Sequence, residues 1–417
     1  DDVLVFNGGD TINRGAPAFS DKYRCVEWPW WNGIVDAMAF GNHDADYGAA
    51  VFRDCARSAA YPILSANVLD ASGAPLFAPS GRLYAVFERR GARIGVFALA
   101  GDDFAQLLKP ETSPVESVRF AGREETAREI VRVLRDDEEV DAVVLIGHAH
   151  NHEDEALAKA VPGIDLVLGT HSHIVAELHR IDGTSTWMIA SGQYLERLSR
   201  VDLRFERGRL AGVTGEVVSM SAGFPEDAAT KRKVSELQRE LERDPAFAPL
   251  FVVVGELERE LSIDGINEGD APLGERVMRL VREAAGTDVA MSTSSSFRAA
   301  LAPGSVRETD LRDALPYDNA ILRYEVDGTK LAAILDRAIS LRGTDSFLQL
   351  AGVALGANGA TSLADGIAID PAKRYSIATT DYLAKVSPYR DLFADVAPLD
   401  TGKKVRSVVR ESIAAKR

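Results

Sequence analysis

Cysteine and histidine are both scarce in this chain, with two and seven residues in 417. The two cysteines, Cys25 and Cys55, lack CxxC spacing and have no cysteine partners, which excludes a cysteine-built zinc site. Two alternatives stay open for them, a pair of buried thiols or one disulfide in an exported protein. No apolar run is long enough to cross a bilayer. Basic residues are outnumbered, 48 Lys and Arg against 63 Asp and Glu, and the net charge is −15. The basic face of a nucleic-acid polymer binder is therefore absent. A small anion can still bind where a metal cluster or a few arginines reverse the field. No signal peptide is present, and Asp1-Asp2 leads straight into strand-like sequence. The expectation is that the N-terminus, with any export signal, has been removed.

What is present is ordinary globular composition, 46% apolar and 27% charged. The length calls for two domains of the usual ~100–200 residues. The first half alternates strand-like runs with helical ones. The strands are read at 3–6, 36–40, 62–68, 93–99, 142–146 and 164–168. Ala127, Ile130, Val131 and Leu134 mark an amphipathic helix over 122–135. This alternation predicts a layered α/β domain over 1–223. A charged helical stretch from Lys231 to Arg243 predicts a solvated linker over 224–250. A second α/β unit follows over 251–417, with strands at 288–291, 321–326 and 375–379 and helices at 273–285 and 330–340. There is no internal repeat.

Four strands of the first half run into polar groups. They lead to Asn7-Gly8-Gly9-Asp10, Gly41-Asn42-His43-Asp44, Gly147-His148 and Gly169-Thr170-His171-Ser172-His173. Ligands of open α/β sheets bind beyond the carboxyl ends of strands, so four such ends make one pocket. Asp, Asn and His offer oxygen and imidazole donors suited to Mn, Fe, Zn or Ni. Six of the seven histidines fall in or within a few residues of these segments: His43, His148, His150, His152, His171 and His173. The cluster Trp28, Trp30 and Trp31 reads as a packed loop plug.

Taken in order, these motifs resemble those of the calcineurin-like metallophosphoesterases. The stretch GNHDADYG at 41–48, PILSANV at 62–68 and Ser191-Gly192-Gln193-Tyr194 resemble the 5'-nucleotidase branch. Later, Leu315-Pro316-Tyr317-Asp318-Asn319 and Phe347-Leu348-Gln349 resemble its C-terminal domain. The resemblance implies a layered β-sandwich flanked by helices, followed by a smaller α/β substrate domain. It implies two divalent ions (Mn, Zn, Fe or similar). Asp10 would bridge them, Asn42, His148 and His171 would complete one site, and His173 would serve the other. His43 would be the catalytic histidine, oriented by Asp46. Arg298 would grip phosphate, and Tyr317 and Tyr382 would sandwich a base.

The sequence departs from the pattern in two places. The family's Asp-x-His motif would lie before Asp1, so one ion's ligand set is nearly complete and the other's is not; truncation is the expected cause. In the second domain the family's glycine-rich Asn-x-Gly-Gly-Ile-Arg is Thr293-Ser294-Ser295-Ser296-Phe297-Arg298. The resemblance implies a periplasmic or secreted hydrolase of a nucleotide or nucleotide-derived phosphoester, with a small phosphorylated partner. Thiosulfohydrolase-like sulfur chemistry and a ligand-binding member without turnover are the alternatives.

Overall fold

The computed structural model describes residues 2–14, 18–108, 118–220, 223–355 and 361–415. The chain forms two compact units. The first is Asp1–Arg14 with Tyr23–Ala228, and the second is Gly15–Lys22 with Ala229–Arg417.

Two sheets face each other in the first unit. A three-stranded parallel sheet runs Phe6–Asn7, Ala37–Ala39, Ile63–Leu64 in that spatial order. A six-stranded sheet is ordered Val175–Arg180, Trp187–Ser191, Leu166–Gly169, Ala142–His148, Ala92–Ala100, Tyr84–Arg89. Its four central strands are parallel and its two edge strands antiparallel. The strand Ala142–His148 is buried throughout, which explains its unbroken apolar run. Successive side chains of a strand point to opposite faces. Val144 and Ile146 accordingly enter the core between the sheets with Ala37, Ala39 and Leu64. Val143 and Leu145 enter the opposite core, closed by Ala127, Ile130 and Val131 of helix Arg123–Arg132 and Leu157 of helix Asn151–Ala160. A third core covers the outer face of the small sheet, where Met38 and Phe40 meet Trp28, Phe52, Phe77 and Phe104. The result is a helix–sheet–sheet–helix sandwich, as the resemblance implied.

Two local readings change. The run at 3–6 is strand only at Phe6–Asn7. The run at 62–68 is two short strands, Ile63–Leu64 and Val68–Leu69. Between them Asn67 turns inward, donating to the Ala100 carbonyl at 3.0 Å and accepting from its N–H at 2.8 Å. Trp28 is buried, edge-on to Phe52 at 5.7 Å, with its indole N–H donating to Thr11 Oγ1 at 3.0 Å.

The second unit is built on a mixed sheet ordered Leu348–Ala351, Val289–Thr293, Arg374–Thr380, Ala320–Asp327, Leu399–Lys404. Helices Pro272–Ala285 and Val405–Ala414 pack one face, and helix Gly328–Ser340 the other. The charged helix expected as a linker spans Ala228–Arg243 and belongs almost wholly to this unit. Leu241 is buried, and the neighbouring Asp244 carboxylate pairs with Lys22 at 2.9 Å.

Candidate metal centre

The C-terminal ends of both sheets meet at one place. His148 closes its strand, and its Nδ1–H donates to the Gly8 carbonyl at 2.6 Å. Thr170 Oγ1 donates to the Gly147 carbonyl at 3.0 Å and lies 3.2 Å from the same Gly8 oxygen. These bonds tie the larger sheet to the turn after Phe6–Asn7. In that turn Asp10 adopts φ +54°, a left-handed conformation that Asp tolerates better than most residues.

Asp10 is held from several sides. Its Oδ1 accepts from the His43 N–H at 2.8 Å. Its own N–H donates to Asp44 Oδ2 at 3.0 Å. Asp44 also accepts from Thr11 N and Oγ1 and from Gly41 N, and so fastens the Asp10 turn to the Asn42 turn. Gly41 is required by this closeness. A Cβ there would stand 2.2 Å from Asp10 Oδ1 and 2.7 Å from His148 Cε1.

Asp10, His148 and His171 bring their donor atoms within 4.8 Å of one another. His148 Nε2 is 3.1 Å from Asp10 Oδ2. That is close to the ligand–ligand spacing of about 3–3.4 Å around an ion with bonds of about 2.1 Å. His148 Nε2, His171 Nδ1 and Asn42 Oδ1 are buried without hydrogen-bond partners. Buried polar atoms are rarely left so, and an ion would satisfy all three. Residues and geometry therefore fit a divalent metal. The electrostatics agree. Burial opposes charge on Asp10, but His148, His43 and His171 outweigh it and hold its carboxyl well below the usual range. Burial and the Asp10 charge push Asp44 up to about 6.

His43 lies beside this group, with Nδ1 2.9 Å from Asp46 Oδ2. Asp46 Oδ2 also accepts from the Arg14 N–H at 3.0 Å, which fixes the carboxylate. His173 falls in neither metal-ligand group found among the described residues. Its φ is +59°, and its ring stands edge-on to Tyr194 at 5.7 Å.

A second group was not read from the sequence. Asp103, on the turn after strand Ala92–Ala100, meets His171 and His150. Its Oδ2 is 2.9 Å from His171 Nε2 and 3.5 Å from His150 Nε2. Burial raises the Asp103 pKa, but His171 and His150 outweigh it and the net shift is strongly downward. The signal was available in Gly101-Asp102-Asp103, another acidic turn after an apolar strand.

In the second unit, Arg298 and Tyr382 follow the carboxyl ends of adjacent parallel strands, Val289–Thr293 and Arg374–Thr380. Arg298 Nε–H donates to the Ser295 carbonyl at 2.7 Å and Nη2–H to the Tyr317 hydroxyl at 3.1 Å. The serine loop bonds internally. Thr293 Oγ1 is 2.9 Å from Ser295 Oγ, Ser292 Oγ is 2.9 Å from Ser296 Oγ, and Ser294 Oγ donates to the Asp345 carbonyl at 3.0 Å.

Residues 1–175 match the calcineurin-like phosphoesterase family, and residues 253–387 match the 5'-nucleotidase C-terminal domain. Protein UshA of Yersinia enterocolitica is 26% identical, over 92% of this chain and 77% of its own length. Among solved structures, a 5'-nucleotidase precursor from Thermus thermophilus superposes with a TM-score of 0.76 at 21% identity, covering 100% of this chain and 88% of that one. The sulfate thiohydrolase SoxB of Thermus thermophilus superposes with a TM-score of 0.74 at 21% identity, covering 99% and 76%. These two likenesses show a shared fold. Matched in both of its units, the chain belongs to the calcineurin-like phosphoesterases that carry a 5'-nucleotidase C-terminal domain.

Proposed function

We propose that this chain hydrolyses a phosphoester of a nucleotide or nucleotide-derived compound at the centre formed by Asp10, Asn42, His148 and His171. The observation that carries this reading is the convergence of Asp10, His148 and His171, with two imidazole nitrogens buried and unpartnered. A bound divalent ion supplies Lewis acidity there, polarising a phosphoryl oxygen and making water nucleophilic near neutral pH.

The chain's own residues do the rest. Asp10, Asn42, His148 and His171 would hold one ion, and Asp10 with His173 would hold the other. His43 stands at the edge of the group and delivers a proton to the departing oxygen. Asp46, bonded to His43 Nδ1, holds the ring so that Nε2 meets the substrate. In the second unit Arg298 binds the phosphate, its planar fork already oriented by Ser295 and Tyr317. Tyr317 and Tyr382 offer stacking faces for a base.

The match of residues 253–387 to the 5'-nucleotidase C-terminal domain supports a nucleotide substrate. The serine side chains at 294–296 fill space that glycines leave open, which favours a substrate other than a plain nucleoside monophosphate. A disulfide joins Cys25 and Cys55. Disulfides persist in oxidising compartments, which supports export to the periplasm or beyond.

The test combines metal analysis with a substrate panel on the purified protein reconstituted with Mn, Zn or Fe. The panel holds nucleoside monophosphates, nucleotide sugars, cyclic nucleotides and an aryl phosphodiester. Turnover of one of these, dependent on the metal, is the expected result. A protein that takes up metal yet hydrolyses none of them overturns the proposal.

A further inference from the structure

We infer that Asp103 is a positioning residue for the metal centre, selecting the tautomer of His171 that turns a lone pair toward the ion. The inference rests on reading Asp10, His148 and His171 as metal ligands. It concerns a residue outside that set, on the turn after a different strand.

An imidazole that ligates through one nitrogen must carry its proton on the other, and the acceptor facing that proton decides which is which. The two histidines here are built in mirror fashion. His148 faces the Gly8 carbonyl with Nδ1 at 2.6 Å, and a carbonyl can only accept. The proton therefore sits on Nδ1, and the buried Nε2 is turned toward the Asp10 carboxylate at 3.1 Å, where it would ligate an ion. His171 faces the Asp103 carboxylate with Nε2 at 2.9 Å. A carboxylate likewise accepts, so the proton sits on Nε2, and Nδ1 is left buried and unpartnered. Both histidines belong to the group that includes Asp10.

Without Asp103, either nitrogen of His171 could carry the proton. A proton on Nδ1 would face the ion and block ligation. His150, whose Nε2 is 3.5 Å from the same carboxylate oxygen, steadies the acceptor from another direction. Direct ligation by Asp103 is the competing idea, since Asp103, His150 and His171 also lie close enough to share an ion.

The test uses Asp103→Asn and Asp103→Ala in the otherwise unaltered protein, read two ways. Nitrogen-15 NMR of labelled histidine reports the His171 tautomer in the metal-free protein. Chelator competition reports metal affinity, and elemental analysis its stoichiometry. Wild type is expected as the Nε2–H form. Asp103→Asn keeps an oxygen that can accept this proton, so the tautomer is retained and affinity falls modestly. Asp103→Ala is expected to mix the tautomers and to weaken metal binding by about 10–100-fold with unchanged stoichiometry. An unchanged tautomer in Asp103→Ala overturns the inference. So does the loss of one whole equivalent of metal with the remaining affinity intact, because Asp103 would then be a ligand itself. If the wild-type protein takes up no metal, the proposed function fails, while the tautomer measurement still decides the role of Asp103.

Discussion

His43 Nδ1 lies 2.9 Å from Asp46 Oδ2, while the backbone N–H of the same histidine donates to Asp10 Oδ1 at 2.8 Å. One residue thus joins the proposed proton-handling pair to the proposed bridging carboxylate. Its backbone serves the metal group and its side chain faces Asp46. The two roles separate by mutation, because His43→Ala deletes the ring and keeps the N–H. Turnover is expected to fall by about 10²–10⁴-fold, the usual range for a general acid or base. Metal content is expected to stay at the wild-type level. Asp46→Asn should lower kcat less, with KM little altered, since the ring remains but is less firmly oriented. Full activity in His43→Ala removes this residue from the mechanism.

The strand-end candidates were legible because each is local. Asp10, Asn42, His148 and His171 each follow an apolar run by a few residues and stand beside a glycine or in a glycine-bearing turn. Asp103 was missed although its turn has the same form. Its partner depends on sheet order, which places Ala92–Ala100 beside Ala142–His148. Nothing within ten residues of Asp103 reveals that neighbour. The hairpin Arg197–Glu206 with Arg209–Ser219 was missed for a different reason. Its turn has φ +52° at Arg207 and +71° at Gly208, so it needs two left-handed residues. Only one of them is glycine, and the usual Asn-Gly signal is absent. The single strand read over 62–68 failed at Asn67, whose side chain pairs with Ala100 in both directions and interrupts the ladder.

Arg298 is fixed by the Ser295 carbonyl and the Tyr317 hydroxyl before any ligand arrives. A preoriented guanidinium binds ground state and transition state alike. Arg298→Ala is therefore expected to raise KM by about tenfold or more, the loss of a charge-assisted contact, with kcat largely retained. Lysine should not restore affinity, because it lacks the planar fork. Tyr317→Phe removes one hydrogen bond and should raise KM by a smaller factor. Steady-state kinetics on the best substrate of the panel distinguishes these outcomes. A fall in kcat at constant KM would place Arg298 in the chemical step instead.

The disulfide between Cys25 and Cys55 closes a loop across 30 residues that contains Asn42, His43 and Asp46. Cross-linking a loop of this length restricts the unfolded chain and contributes ~3–4 kcal/mol in the chain-entropy account. Cys55 sits in the aromatic core with Trp28 and Phe52, and Cys25 packs against it. The double variant Cys25→Ala/Cys55→Ala is expected to lose stability of that order in urea unfolding. A reductant should destabilise the wild type and leave the variant unaffected. Equal unfolding midpoints for the two proteins would assign the bridge no stabilising role.

Behind the metal centre, Asp154 is fully buried against Gly147 and paired with Arg123. Burial lifts its carboxyl to about 6, with Arg123 opposing the rise. A carboxyl raised above its unfolded value of 3.8 binds a proton in the folded state that the unfolded chain has already released. Its contribution to stability is thus largest below pH ~4 and declines as pH rises toward ~6, by at most ~1.4 kcal/mol per pH unit. Asp44, lifted to about 6, and Glu27, lifted by burial to about 7, act in the same direction. The metal-free protein is therefore expected to resist urea better near pH ~4.5 than near pH ~6.5 as far as these groups decide it. Asp154→Asn cannot titrate and isolates one contribution. The pH dependence of its unfolding free energy should be shallower than that of wild type across this window. Parallel profiles for the two proteins would show that Asp154 keeps an ordinary pKa beside Arg123.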